Sequence, residues 1–232
     1  MTLILIGVVA TACGGISITV GTSGTGSGTQ AQDVEQTYRD QLTRLVLDSD
    51  AGTVDLSAGT DGAVNVKQRL QWDRTKPQVT VVVDGETLRV TARCPRENNR
   101  CEVNFTITLP AATVVDATTG AGAVRAAQLS GDQRLVTSAG GVTADDMRAR
   151  TVDARTTAGI VELSFAQAPL SVTAESTAGS VDVTVPRDGT RYRVEAGTTA
   201  GLRTVEVATD PASQRVISAQ STAGSVTVRY TG

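Results

Sequence analysis

The sequence predicts an all-β fold: a single-stranded, right-handed β-solenoid (β-helix) with coils of about 20 residues and an antiparallel hairpin block near its N-terminal end. Three observations predict it. An Ala-Gly dipeptide recurs in register. Apolar residues alternate with a period of two on both sides of it. Aromatics are 3% of the chain, while Val, Ala, Thr and Gly abound. A core of Val and Ala suits a narrow interior in which backbones lie close together.

The repeat glycines are Gly52, Gly122, Gly140, Gly159, Gly179, Gly201 and Gly224, and from Gly122 onward they are 18, 19, 20, 22 and 23 residues apart. Ala precedes every one. Three residues before each stands a hydroxyl: Ser49, Thr119, Thr137, Thr156, Ser176, Thr198 and Ser221. Five before, the residue is always apolar; seven before, only Gln133 breaks an apolar column. Val follows two residues after the corner (Val54, Val124, Val142, Val161, Val181, Val226), and a second apolar residue two further on. The Gly201 repeat reads as carrying two extra residues, so that Val205 and Val207 fill those places.

A spacing of two is strand periodicity, not helix periodicity. Each unit is therefore strand, Ala-Gly corner, strand, second corner. Gly131-Asp132, Ala168-Pro169, Asp188-Gly189 and Asp210-Pro211 supply the turn chemistry of the second corners. Two short strands cannot bury their own apolar face. Stacked coils, about 4.8 Å apart, can, with like residues over like. The corner glycines then serve backbone torsion or close approach between coils. An antiparallel sandwich is the alternative, but it does not need one corner dipeptide in column. Right-handedness follows only the general preference of crossovers.

Along the chain, residues 1–20 read as a signal, lipoprotein-type or membrane-anchor segment, 21–32 as a flexible Gly/Ser/Thr linker, and 33–232 as the solenoid body. Residues 57–110 form the hairpin block. There Ala63–Trp72, Val79–Val83, Thr87–Arg93 and Glu102–Leu109 alternate as strands, and Asp84-Gly85 signals a tight hairpin. Leu42–Leu47 reads as strand. The last repeat strand, Val226–Tyr230, shows no cap, so self-association through an open solenoid end is expected there.

The sequence has no His, which removes the commonest general base and metal ligand. Lys plus Arg number 21 against 24 Asp plus Glu, a balance that leaves no electrostatic footprint for nucleic acid. Cys94 and Cys101 flank a six-residue loop that suits a local disulfide and hence an oxidising compartment. A zinc half-site would need further Cys or His ligands, and none stands nearby. Neither catalytic residue, metal site nor cofactor is expected. Asp145, Asp146, Asp153, Glu162, Glu175, Asp182 and Glu195 are the carboxylates a carbohydrate-active β-helix enzyme would use, but outward acids are also the ordinary solvated face of such strands. The same holds for Arg125, Arg134, Arg148, Arg150, Arg155, Arg191, Arg193 and Arg203, which are either contacts for anionic envelope polymers or solubilising charges. Gly21–Gly28 lacks the ending of a phosphate loop and reads as linker.

Ala12-Cys13-Gly14 after a short apolar stretch resembles the lipobox of bacterial lipoproteins, which implies lipidation of Cys13; position 10 is Ala where that family prefers Leu. An uncleaved transmembrane anchor and simple secretion remain as alternatives. Repeated [Ser/Thr]-x-Ala-Gly-x-Val units after such a Cys, with a Cys-Pro…Cys loop between, resemble the putative-adhesin family of bacterial surface β-strand-repeat proteins. The resemblance spans about residues 33–231. It implies a non-enzymatic, membrane-tethered binding or scaffold protein on the outer face of the cell membrane, with a cell-wall glycan or surface protein as partner. The alternatives are a structural or stress-response envelope component without ligand and, more weakly, an enzyme on carbohydrate. Relatives often carry Asp after the corner Gly. Here Thr53, Ala123, Gly141, Ile160, Ser180 and Ser225 stand there, so no acidic ladder for calcium runs along that edge.

Overall fold

A computed structural model describes residues 16–24, 29–39, 41–59 and 62–232. Cys13 and residues 1–15 of the expected leader lie outside the described residues. All regular elements described are strands.

Six coils carry both strands and an Ala-Gly corner between them in the main stack: β3 (Arg44–Ala51) with β4 (Val54–Gly59), β9 (Val114–Ala121) with β10 (Val124–Ala127), β11 (Gln133–Ala139) with β12 (Val142–Met147), β13 (Thr151–Ala158) with β14 (Val161–Phe165), β15 (Ser171–Ala178) with β16 (Val181–Val185), and β19 (Val216–Ala223) with β20 (Val226–Tyr230). A seventh, β17 (Arg193–Ala200) with β18 (Arg203–Val205), ends the stack. The first strand of every coil joins one sheet and the second strand the other, all in parallel register. Like lies over like: Val115, Gln133, Val152 and Val172 pair across successive strands, as do Val124, Val142, Val161 and Val181. Their side chains meet between the sheets, where Ala117, Ala154, Ala174 and Ala219 are wholly buried. Gln133 fits this interior because its amide donates to the carbonyls of Gly131 at 2.7 Å and Thr113 at 3.3 Å.

The hairpin block is built from β5 (Val64–Trp72), β6 (Gln78–Asp84), β7 (Thr87–Arg93) and β8 (Cys101–Pro110). β6 and β7 form the antiparallel hairpin expected at Asp84-Gly85. The other half of the block departs from expectation. β7 runs parallel to β3 and β8 parallel to β4, so together they form a further coil whose corner is the disulfide loop. Leu88 lies against Leu45 and Val90 against Leu47, and Phe105 against Val54. The block therefore continues the core instead of interrupting it.

The stretch 21–32, read as a linker, is partly strand. β1 (Ile16–Gly24) pairs antiparallel with β2 (Gln30–Tyr38), and β2 with β5. Gly-rich sequence suffices there because neighbouring strands satisfy its backbone groups, whatever its side chains.

Coil order departs from chain order at both ends. The sheets run β1-β2-β5-β8-β4-β10-β12-β14-β16-β20-β18 and β17-β19-β15-β13-β11-β9-β3-β7-β6. The last coil in sequence, β19 and β20, is thus inserted between the β15–β16 coil and the β17–β18 coil. The free edges at this end are β17 and β18, not the Val226–Tyr230 strand. The Gly201 repeat has no extra residues either: Arg203 lies opposite Val226 and Val205 opposite Val228. A cation is tolerated in the valine place because this coil has no further neighbour, and Arg203 Nε donates to the Ala196 carbonyl at 2.9 Å.

Two predictions follow from this packing. Removing residues 209–232 takes away the only strands that β17 and β18 pair with among the described residues, so limited proteolysis of that variant should cut between residues 186 and 208 while coils up to β16 stay protected; protection of Arg193–Val205 would contradict the coil order. Burial pushes the Tyr38 and Tyr192 hydroxyls up to about 12. Because the folded values lie above the ordinary one near 10, their stabilising effect is complete below about pH 10 and fades as pH rises toward 12. Urea unfolding at pH 9 and 11.5 should show this loss, and Tyr38→Phe should reduce it.

Candidate functional site

The site with the most regular chemistry is the corner edge. At each corner the chain turns between the two sheets within Ala-Gly-x. The glycines there have φ between +120° at Gly52 and +157° at Gly201, a region L side chains avoid. Space is the harder constraint. A Cβ on Gly122 would lie 2.2 Å from the Gly52 carbonyl oxygen, and one on Gly159 2.0 Å from that of Gly140. Each glycine thus sits directly on the carbonyl of the coil beside it.

That carbonyl explains the hydroxyl column. Thr137 Oγ1 donates to Gly122 O at 2.8 Å, Thr156 to Gly140 O at 2.8 Å, and Ser176 to Gly159 O at 2.8 Å. Ser221 donates to Gly179 O and Thr198 to Gly224 O, following spatial rather than sequence order. The hydroxyls therefore clasp backbone between coils. Gly N–H groups bond Ala carbonyls of the next coil, as Gly140 does to Ala158 at 2.9 Å, and this leaves the turn fully bonded along the stack.

One residue before each Ala, the side chain turns outward. Ser138, Thr157, Thr177, Thr222 and Thr199 are exposed and line one side of a shallow depression of about 540 Å³ across five coils. Arg155 and Glu175 stand in the same depression. Arg155 pairs with Asp153 at 2.6 Å and Glu175 at 2.7 Å, and the Asp153 hydrogen bond raises its pKa further. The surface offers hydroxyl donors and acceptors at a spacing of about 4.8 Å, with a charged pair at its margin.

The structure does not gather the candidate carboxylates. Asp153, Glu175 and Glu195 lie on the sheet of first strands; Asp145, Asp146, Glu162 and Asp182 lie on the other sheet. Asp182 is paired with Arg229 and Glu195 with Arg193. Asp146 accepts from Gln128, and Asp145 from Ser164. Among the described residues no group of three or more His, Cys, Asp or Glu could hold a metal ion. The candidate arginines spread likewise: Arg125 pairs with Asp55 and Arg134 with Asp116, on opposite sheets.

The disulfide loop is a second built feature, and its role as a corner was missed. Cys94 and Cys101 are bonded, with Cα atoms 5.7 Å apart. In the neighbouring coil Asp50 takes the outward place that Ser138 and Thr157 hold in later coils. Its carboxylate accepts the Cys94 N–H at 2.9 Å, and Arg93 is clasped by Asp50 and Asp48. Asn98 ties the loop to residues 73–77, accepting from Arg74 N and Thr75 N and donating to Thr75 O. The usable signal was the spacing of two on each side of the loop, Leu88-Val90-Ala92 and Val103-Phe105-Ile107, which matches that around the Ala-Gly corners.

A parallel stack of two-strand coils with glycine corners defines a β-solenoid of the strand-repeat class. The chain belongs to the Toastrack DUF4097 family, whose profile matches residues 104–231. No curated protein matches it in sequence. Among solved structures, a protein of Clostridium sporogenes named a putative cell adhesion protein is 12% identical, with 94% of this chain and 100% of that one covered and a TM-score of 0.45. A putative adhesin of Bacteroides fragilis is 15% identical over 86% of this chain and 97% of its own, with a TM-score of 0.46. A putative lipid binding protein of Parabacteroides distasonis is 11% identical over 89% and 98%, with a TM-score of 0.35. None of these activities passes to this chain at such identities.

The corner geometry sets the order of two substitutions. Gly159→Ala forces a Cβ into a carbonyl and should cost about 4 kcal/mol or more. Thr156→Val keeps the shape but leaves the Gly140 carbonyl unpaired, at about 1–3 kcal/mol. Chemical denaturation of both variants checks this, and equal costs would show that the hydroxyl, not the space, sets the corner.

Proposed function

We propose that the chain is a non-enzymatic, adhesin-like surface protein of the bacterial cell envelope, which presents the outer faces of its solenoid as a binding scaffold. The observation that carries this reading is the exposed row Ser138, Thr157, Thr177, Thr222 and Thr199, repeated coil by coil above a core that holds it flat. A repeating hydroxyl surface suits a repeating partner, such as a cell-wall glycan. The Cys94–Cys101 bond supports placement outside the cytoplasm, because such bonds persist in oxidising compartments. Ion pairs across coils, such as Arg155 with Glu175 and Arg134 with Asp116, use the outer acids to support the strands rather than a reaction. In this reading the N-terminal segment holds the body at the outer face of the membrane, by lipid on Cys13. Among the described residues no helix is long and apolar enough to cross a membrane.

Two measurements test the proposal. A membrane-impermeant amine reagent should label Lys67, whose side chain is 60% exposed, on intact cells; labelling only after lysis would end the surface reading. Cells fed a clickable fatty acid should label the wild-type chain and not Cys13→Ala, and unchanged labelling would refute lipidation at Cys13 while leaving display untouched.

A further inference from the structure

Beyond the last Ala-Gly corner, at the disulfide end, two loops project together. Residues 73–77 join β5 to β6, and residues 94–100 join β7 to β8. They are held as one body by the disulfide, by Asn98, and by Asp73, whose N–H donates to Arg100 O at 3.2 Å and whose carboxylate accepts from Asn99 N at 3.2 Å. Asp73 is thereby turned inward. Burial works against its ionisation, but the backbone N–H groups of Asn99 and Arg100 outweigh this and hold its pKa below the ordinary range.

Arg74, Arg96 and Arg100 stand exposed on this body, with Lys76 half-buried beside them. Among the described residues, none of these four enters an ion pair, whereas Arg93 on the same loop is taken up by Asp48 and Asp50. Glu97 is the exposed acid of the two loops. The result is a knob bearing three guanidinium groups that form no ion pair, with the Arg74 charge acting on Asp73 only through its field. Guanidinium forks match phosphate and carboxylate oxygens and keep their charge at any working pH.

The position of the knob selects the kind of anion. Trp72 pairs with Cys101 and with Gln30, while Ile16, where the described chain begins, pairs with Tyr38 at the other end of the same strands. A nine-residue strand separates the two ends by roughly 27 Å. Ile16 and the knob thus lie at opposite ends of the same paired strands. We propose that this knob docks an anionic envelope polymer, one that repeats phosphate or uronate groups along a flexible backbone, rather than the lipid surface. The choice of polymer over lipid rests on the membrane tether of the surface reading above; the anion-binding chemistry of the knob stands apart from it.

The test uses the purified chain, so that it does not depend on display. Affinity electrophoresis in poly(glycerol phosphate) and in polygalacturonate should retard the wild type, with dextran as the neutral control. Retardation by one anion names the repeating group. Affinity should fall about tenfold between 50 and 200 mM salt, as expected for a few released counterions. Arg96→Ala/Arg100→Ala and Arg74→Ala should each weaken binding severalfold or more with unchanged thermal unfolding, while Arg134→Ala, on a distant sheet face, should not. No retardation by either polymer, or equal retardation of the knob variants, overturns the proposal. Equal or tighter knob-dependent binding to vesicles with 30% phosphatidylglycerol overturns it in favour of a membrane contact. If surface labelling of Lys67 fails while polymer binding holds, the display reading falls and the knob stands.

Discussion

Everything in this fold depends on how closely two backbones approach at the Ala-Gly corner. Coils about 4.8 Å apart leave no room for a side chain where the turn of one rests on the carbonyl of the next. Glycine meets that condition, and its positive φ sends the chain into the opposite sheet. The hydroxyl three residues earlier then donates to the same carbonyl, as Thr156 does to Gly140. Torsion, spacing and hydrogen bonding therefore act at one atom. The valine and alanine columns follow from it, since a corner fixed in register fixes every position counted from it.

This corner rule is indifferent to chain order. Thr198 clasps Gly224 and Ser221 clasps Gly179, so the coil made last sits inside the stack and an earlier coil sits outside. At the other end the β7–β8 coil is placed beyond β3 and β4 in the same way. Its disulfide loop does the work of an Ala-Gly corner by covalent means, and Asp50, in the outward place beside the column hydroxyl Ser49, holds it. Both ends of the stack are thus tied by chain that reaches past one coil and returns.

The fold was legible wherever composition repeats. The Ala-Gly column, the hydroxyl column and the alternating Val positions each landed where their spacing put them. The order of coils was not legible, because every slot in the stack has the same chemistry and a sequence with equivalent slots does not say which neighbour each coil takes. Arg203 shows the point. It was read as part of an insertion, since a cation does not belong in a valine column; its true explanation is a missing neighbour, which only the stack reveals. The Gly21–Gln32 stretch misled for the opposite reason. Its composition says flexible, yet pairing with a neighbouring strand needs backbone alone. The candidate carboxylates lie spread over both sheets, while the knob at Arg74, Arg96 and Arg100 stayed invisible because its two loops are brought together by Asn98 and Asp73 rather than by any motif.

The inserted coil also bears on how the molecule is made. During synthesis, the segment Arg193–Val205 emerges from the ribosome before the strands it will pair with, β19 and β20, exist. Coils up to β16 can pair in chain order, but this segment must wait, with its neighbouring place vacant, until the chain through residue 230 is present. The β17–β18 coil is therefore placed only after the β19–β20 coil, against chain order. A chain that stops within that interval has an unfilled slot edged by bare strand.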